Sequence, residues 1–204
     1  MDAELVSIAS NIAVGVSALI VAGVAFFGVR RWRKELTGKA KFDAARNVML
    51  LGFRLNAGFE SARNPFTFST EHTGRSRQEN EPANVSQVLD EWYARGSRLK
   101  PLHEDLVKIQ EASWEADILL DEDSSKRVSE AVAVYRDSYA ELSSAIYSYF
   151  ETRREEVVRS DPYKDQDWLK ELRKIIYLGT KDNFSKRVEE ATAKLKTTLH
   201  TYVK

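Results

Sequence analysis

The chain has 204 residues, 31 of them basic and 31 acidic, for a formal net charge of zero. That balance argues against a dedicated nucleic-acid binder, which carries an excess of Lys and Arg. There is no cysteine, which excludes disulfides, thiol nucleophiles and thiolate metal sites, and only nine glycines and four prolines, which favours long helices over many short strands.

Residues 5–29, LVSIASNIAVGVSALIVAGVAFFGV, contain no charge. At about 1.5 Å per residue a helix of this length spans roughly 37 Å, enough to cross a hydrocarbon core of about 30 Å with some tilt. A secretory signal peptide needs a basic start and a shorter apolar stretch. This segment instead follows Met-Asp-Ala-Glu, with no obvious cleavage site. An uncleaved transmembrane helix is therefore expected, with a buried soluble-core helix as the competing reading. Ala9, Ala13 and Ser17 recur every four residues and make a small-residue face of the kind that lets membrane helices approach closely.

Phe26 and Phe27 close the apolar run, and Arg30, Arg31, Arg33 and Lys34 follow at once, with Trp32 among them. A tryptophan suits the headgroup layer, because its ring is apolar and its N–H donates. Clustered cations next to a membrane helix mark the cytoplasmic side. The five residues Arg30 to Lys34 are thus the expected membrane-interface site. The N-terminus is expected outside and residues 30–204 inside, with residues 1–38 forming anchor and basic juxtamembrane segment.

Residues 39–63 read as a second helix, continuous with the first or weakened at Gly38. Phe42, Ala45, Met49 and Gly52 form one apolar row, and Ala44, Val48, Leu51 and Leu55 form the next. Asn64-Pro65 ends it, because proline disfavours a helical residue before it. Residues 65–84 have no helical period and read as a flexible polar loop. A third helix is expected from Asn84, a good N-cap. Its seam, stepping by three and four from Val85 to Leu120, is apolar at nine of eleven positions, Arg95 and Ser113 being the exceptions. Pro101 lies inside it and is expected to kink or split the helix.

Asp121–Ser125 makes an acidic turn into a fourth helix that runs to about Arg159. Its stripe is Val128, Ala131, Tyr135, Ser138, Leu142, Ala145 and Tyr149, widened by Val132, Tyr139, Ile146 and Phe150. The short connection makes the third and fourth helices antiparallel neighbours. Asp161-Pro162 reads as the start of a short amphipathic helix carrying Trp168, Leu169, Leu172, Ile175 and Ile176, with Gly179 as its stop. Asp182 caps a last helix with Phe184, Val188, Ala191, Leu195, Leu199 and Tyr202 inward. The expected fold is all-α: one N-terminal transmembrane helix, then a cytoplasmic antiparallel helical bundle over residues 39–204 with coiled-coil-like helices.

Trp32-Arg33-Lys34-Glu35-Leu36-Thr37-Gly38-Lys39, then Ala45-Arg46, then Arg63-Asn64-Pro65, carry a resemblance. With the plan of the later helices, the chain resembles a group of bacterial single-pass membrane proteins that pair one N-terminal membrane helix with a cytoplasmic helical region. The resemblance implies an inner-membrane location and this architecture. It implies no activity and supplies no functional residues.

The sequence offers little chemistry. His72 and His200 lack a second histidine at ligand spacing, and His103 reads as a solvated residue beside Leu102 and Leu106. No phosphate-binding loop, nucleophile elbow or dinucleotide fingerprint occurs. Trp92, Trp114, Tyr135, Tyr139, Tyr147 and Tyr149 read as ordinary core rather than a ligand pocket. Neither catalytic residues, nor a cofactor, nor a metal, nor a small-molecule substrate is expected. The expected function is a membrane-tethered interaction or scaffold module that touches the lipid bilayer and a protein partner or a second copy of itself. The alternative is a membrane-acting effector or sensor in stress or defence, in which Asn11 and the small-residue face would matter.

Overall fold

The computed structural model describes residues 2–159, 166–179 and 182–203, with the side chains of 15–159, 167–179 and 182–203. Five α-helices follow one another: α1 (Asp2–Arg63), α2 (Ala83–Leu119), α3 (Glu122–Arg159), α4 (Gln166–Ile176) and α5 (Asn183–Leu199), with a single 3-10 turn at Ser69–His72. Among the described residues there is no strand. The chain divides into two compact units, Met1–Asp43 and Ala44–Lys204.

In the first unit the side chains of the apolar run lie open. Leu19, Ile20, Val24 and Phe27 are all more than 60% exposed, and Val16 and Val29 are half exposed. The helix containing them is long and apolar enough to cross a membrane. Of the two readings at Gly38 the continuous one holds, and α1 runs through it: nothing lies near that residue, and a single glycine costs a helix only about 1 kcal/mol. Asn11, Ala9 and Ala13 lie outside the described side chains, as does the Asp161-Pro162 cap.

The second unit has its own core. Both rows expected along residues 44–62 contribute to it: Ala44, Val48, Leu51 and Leu55 are buried, as are Ala45, Phe59 and Ala62. Phe42 lies outside that core and is exposed. Gly52 is where α1 approaches its neighbours closely. A Cβ there would stand 2.8 Å from Leu195 Cδ1 and 3.3 Å from the Tyr135 hydroxyl. Phe59 stacks on Tyr135 with ring centroids 6.4 Å apart and meets Phe184 edge-on at 5.6 Å. The α3 stripe behaves as its spacing predicts, with Val128, Tyr135, Leu142 and Phe150 at most 3% exposed. Burial of each such side chain stabilises the fold by about 1.5–3 kcal/mol.

Four local expectations need correcting. α2 is one helix through Pro101. Proline lacks the N–H that would reach the Ser97 carbonyl, but Pro101 and Ser97 are both exposed, so water can satisfy that carbonyl. α2 also starts one residue early, at Ala83, with no side-chain cap. Gly179 does not stop α4, which ends at Ile176; no described glycine has a positive φ. The stop comes from elsewhere, because the Leu178 N–H donates to the Arg63 carbonyl at 2.8 Å. Two of the aromatics expected in the core, Trp114 and Tyr147, are exposed instead.

Candidate functional site: an exposed cationic collar and an internal arginine clamp

The expected interface residues sit on one continuous stretch of α1. At about 100° per residue, Arg30, Arg31, Arg33 and Lys34 spread around the helix, and Trp32 faces the remaining side. All five are exposed. Their neighbours hold them only lightly: Arg31 Nε donates to Glu35 Oε1 at 3.1 Å, one turn on, and the Thr37 hydroxyl donates to the Arg33 carbonyl at 2.9 Å. The arrangement is a ring of exposed cations with one aromatic side chain among them, directly after exposed hydrophobes.

A second set of arginines, to which the sequence assigned no role, does the opposite. Arg63, the last residue of α1, is 1% exposed. Its guanidinium donates to the carbonyls of Ile175 at 2.7 Å, Lys174 at 2.9 Å and Tyr177 at 3.1 Å. Lys174 and Ile175 belong to the last turn of α4, whose carbonyls have no intrahelical donor, and Tyr177 is the first residue after it. The same group reaches the start of α5, donating to Ser185 Oγ at 2.7 Å and pairing with Asp182 at 3.1 Å. Asp182 also caps α5 by accepting from the Ser185 N–H at 2.8 Å. One guanidinium thus joins a negative helix C-terminus to a capping carboxylate, and both favour a cation. The Phe184 ring covers it, 4.3 Å from the guanidinium carbon.

Arg95 repeats the device at the end of α1. It is fully buried and donates to the carbonyls of Asn64 at 2.6 Å and Pro65 at 3.0 Å, under the Tyr177 ring at 4.7 Å. Arg98 adds bonds to the Asn64 carbonyl at 2.8 Å and, through both arms, to Glu71 at 2.8 Å. Burial pushes the pKa of Arg63 and Arg95 down from the ordinary value. A guanidinium stays charged even so; carbonyls and Ser185 take the place of water around Arg63, whereas Arg95 is bonded through its two terminal nitrogens and its Nε is left without an acceptor.

The segment read as a flexible loop carries further ties. Arg75 donates to both oxygens of Glu81, at 3.0 and 2.6 Å, to Asp90 at 2.6 Å and to Ser86 at 2.9 Å. The Arg75 hydrogen bonds hold the Glu81 carboxyl down to about 2. Those of Arg98 likewise hold Glu71 below the usual carboxylate range. Asp90 is pushed up by burial, but Arg75 and Arg77 outweigh that and leave it lowered. Asn80, at φ 66°, supplies the left-handed turn, a conformation asparagine tolerates.

Two open grooves flank this network. One, of about 640 Å³, is lined by Thr67, His72, Arg77 and Asp90 among others. The other, of about 890 Å³, is lined by Tyr149, Arg153, Lys170, Arg173 and Tyr177 among others. Their charges are largely engaged: Arg77 pairs with Asp90, Arg153 with Glu156 and Lys170 with Asp167. His103 is exposed and lies against the Tyr139 ring. Among the described residues no group of three or more His, Asp or Glu could hold a metal ion. No family model matches the chain, and neither a curated protein nor a solved structure is similar to it.

The clamp had one sequence signal. Arg95 stands at a position of the α2 seam that every neighbouring step fills with a hydrophobe. A charge there implies a buried partner, though not which one. Arg63 had no comparable mark beyond its place before Asn64-Pro65.

Proposed function

We propose that the protein is a membrane-tethered module whose helical bundle serves as an interaction or scaffold surface in the cytoplasm. The observation that carries this reading is the exposure of the apolar run at 16–29 beside a bundle with a core of its own. Water does not tolerate a contiguous apolar surface of that size, and a bilayer removes it. The cationic collar supports an orientation with the N-terminus outside, because basic residues stay on the cytoplasmic face. Anionic lipids attract each such cation by about 1 kcal/mol. A bacterial inner membrane fits the resemblance described above.

In the bundle, Arg98 meets Asn64, Leu102 lies by Gly58, and Arg54 pairs with Asp105 at 2.8 Å. Rising numbers on α2 thus meet falling numbers on α1, which supports an antiparallel arrangement. Trp92 against Phe150 and His103 against Tyr139 support the same for α2 and α3. The experiment has three arms. A C-terminal reporter active only in the cytoplasm is expected to work, and activity only outside overturns the orientation. Purified protein in liposomes is expected not to leak ions, and leakage favours the membrane-acting effector instead. Crosslinking in the native membrane, read by mass spectrometry, is expected to capture a protein partner.

A further inference from the structure

The face of α2 opposite its buried seam carries a second stripe. Val107, Trp114 and Ile118 follow one another at steps of seven and four, which places them on one side of a helix. They are 46%, 62% and 83% exposed. Glu104, Glu111 and Glu115 run along the same side and are also exposed. Across the rest of the bundle carboxylates are mostly paired: Glu130 with Lys194, Glu141 with Arg187, Asp105 with Arg54 and Asp123 with Arg127. These three glutamates form no ion pair among the described residues. The nearest cation on the flank, Lys108, is 3.7 Å from Asp105, and exposed Lys100 stands two turns before Val107 on the same side, beyond the three glutamates.

We infer that this face of α2 docks a cationic amphipathic helix supplied by another protein. The inference rests on reading the bundle as an interaction module and names the chemistry of its partner. Exposed Trp114 and Ile118 supply the apolar anchors; tryptophan in particular dominates binding energy where it becomes fully buried. The unpaired glutamates select the charge of what covers them, because complementary charge steers association and like charge opposes it. Two other occupants fit worse. An anionic lipid surface is repelled by Glu104, Glu111 and Glu115. A second copy laid face to face would set those same glutamates against one another. A helix with Leu at 3-4 spacing and Lys on its flanks matches both features, in the groove mode that uses i, i+4 and i+7 anchors.

The test uses the full chain in nanodiscs of zwitterionic lipid, which give a cationic peptide no charged surface. The probe is an 18-residue Leu/Lys amphipathic helix, compared with a scrambled peptide of the same composition. The ordered peptide is expected to bind one to one and at least about tenfold more tightly than the scrambled one. Trp114→Ala and the pair Glu111→Lys with Glu115→Lys are each expected to weaken it about tenfold or more, with unchanged helicity and melting because all three positions are exposed. Equal binding of the two peptides, or binding unmoved by both variants, overturns the inference. A wild-type dimer that the charge reversals dissociate also overturns it, by giving the face to a second copy. Native-membrane crosslinking separates this from the parent reading. A partner still captured by both variants sinks the α2 face alone, whereas no partner captured by the wild type sinks the module.

Discussion

Arginine plays two opposite parts in this chain. In the collar, Arg30, Arg31 and Arg33 stand in the open within four residues of one another, and Arg31 alone pairs with a glutamate, Glu35. In the bundle, Arg63 and Arg95 are buried to 1% and 0% exposure, and backbone carbonyls at helix ends take the place of solvent. The difference teaches that the same side chain acts as a diffuse field in one region and as a fixed splice in the other. What decides is not charge but the supply of acceptors. The last turn of a helix presents several carbonyls with no donor, and a planar group with five N–H bonds can satisfy a set of them at once.

The comparison breaks most sharply at Arg63. Arg63→Ala leaves the carbonyls of Lys174, Ile175 and Tyr177 without this donor and Asp182 without its cation. The expected cost is about 3–5 kcal/mol, as for removing one side of a buried ion pair, read by urea denaturation of the full chain in micelles. Arg63→Lys keeps the charge but not the fork and is expected to recover less than half of that. A variant as stable as wild type would put Arg63 in the same class as the collar. Arg95→Leu comes next, at about 2–4 kcal/mol, because it orphans the Asn64 and Pro65 carbonyls while an apolar side chain refills part of the space.

Acid sharpens the contrast in a third place. Glu81 and Glu71 have folded-state pKa values held below those of the unfolded chain by Arg75 and Arg98. Their contribution is therefore complete above the ordinary carboxylate range; that of Glu81 is lost as pH falls from about 4.5 toward 2, and that of Glu71 is lost as pH falls below the ordinary range. Hydrogen exchange in residues 65–82 is expected to accelerate over that window, before the core of α3 opens. Unchanged protection there would mean that the arginine ties do not hold the segment. The smallest effect on folding belongs to the collar. Replacing Arg30, Arg31, Arg33 and Lys34 together with Gln is expected to shift bundle stability by less than about 0.5 kcal/mol, while weakening or scrambling the orientation measured by a cytoplasmic reporter.

Much of the fold was legible from spacing. The α3 stripe and the α2 seam from Leu102 onward bury the residues their 3-4 steps select, because helical periodicity is a local property that survives any packing. Val128, Leu142 and Leu106 are inside for that reason. The apolar run and its collar were legible for the same reason, since both are contiguous in the chain. Pro101 misled because its effect depends on whether the orphaned carbonyl meets water, and that is a matter of which face points outward. Trp114 misled in the other direction: an aromatic residue off the seam reads as core by composition and sits on the surface by phase.

The sequence by itself therefore determined the helices, the open apolar segment of α1 and the cations that follow it. Each is specified by residues within a few turns of one another. Only the tertiary structure decided where the charge of Arg63 and Arg95 goes. The acceptors of Arg63 lie 111 to 122 residues away, and those of Arg95 about 30 residues away. Most are backbone carbonyls, which every residue carries alike. No pattern of side chains can announce such a partner, because what makes those carbonyls available is the ending of a helix, and what brings them to the guanidinium is the packing of the bundle.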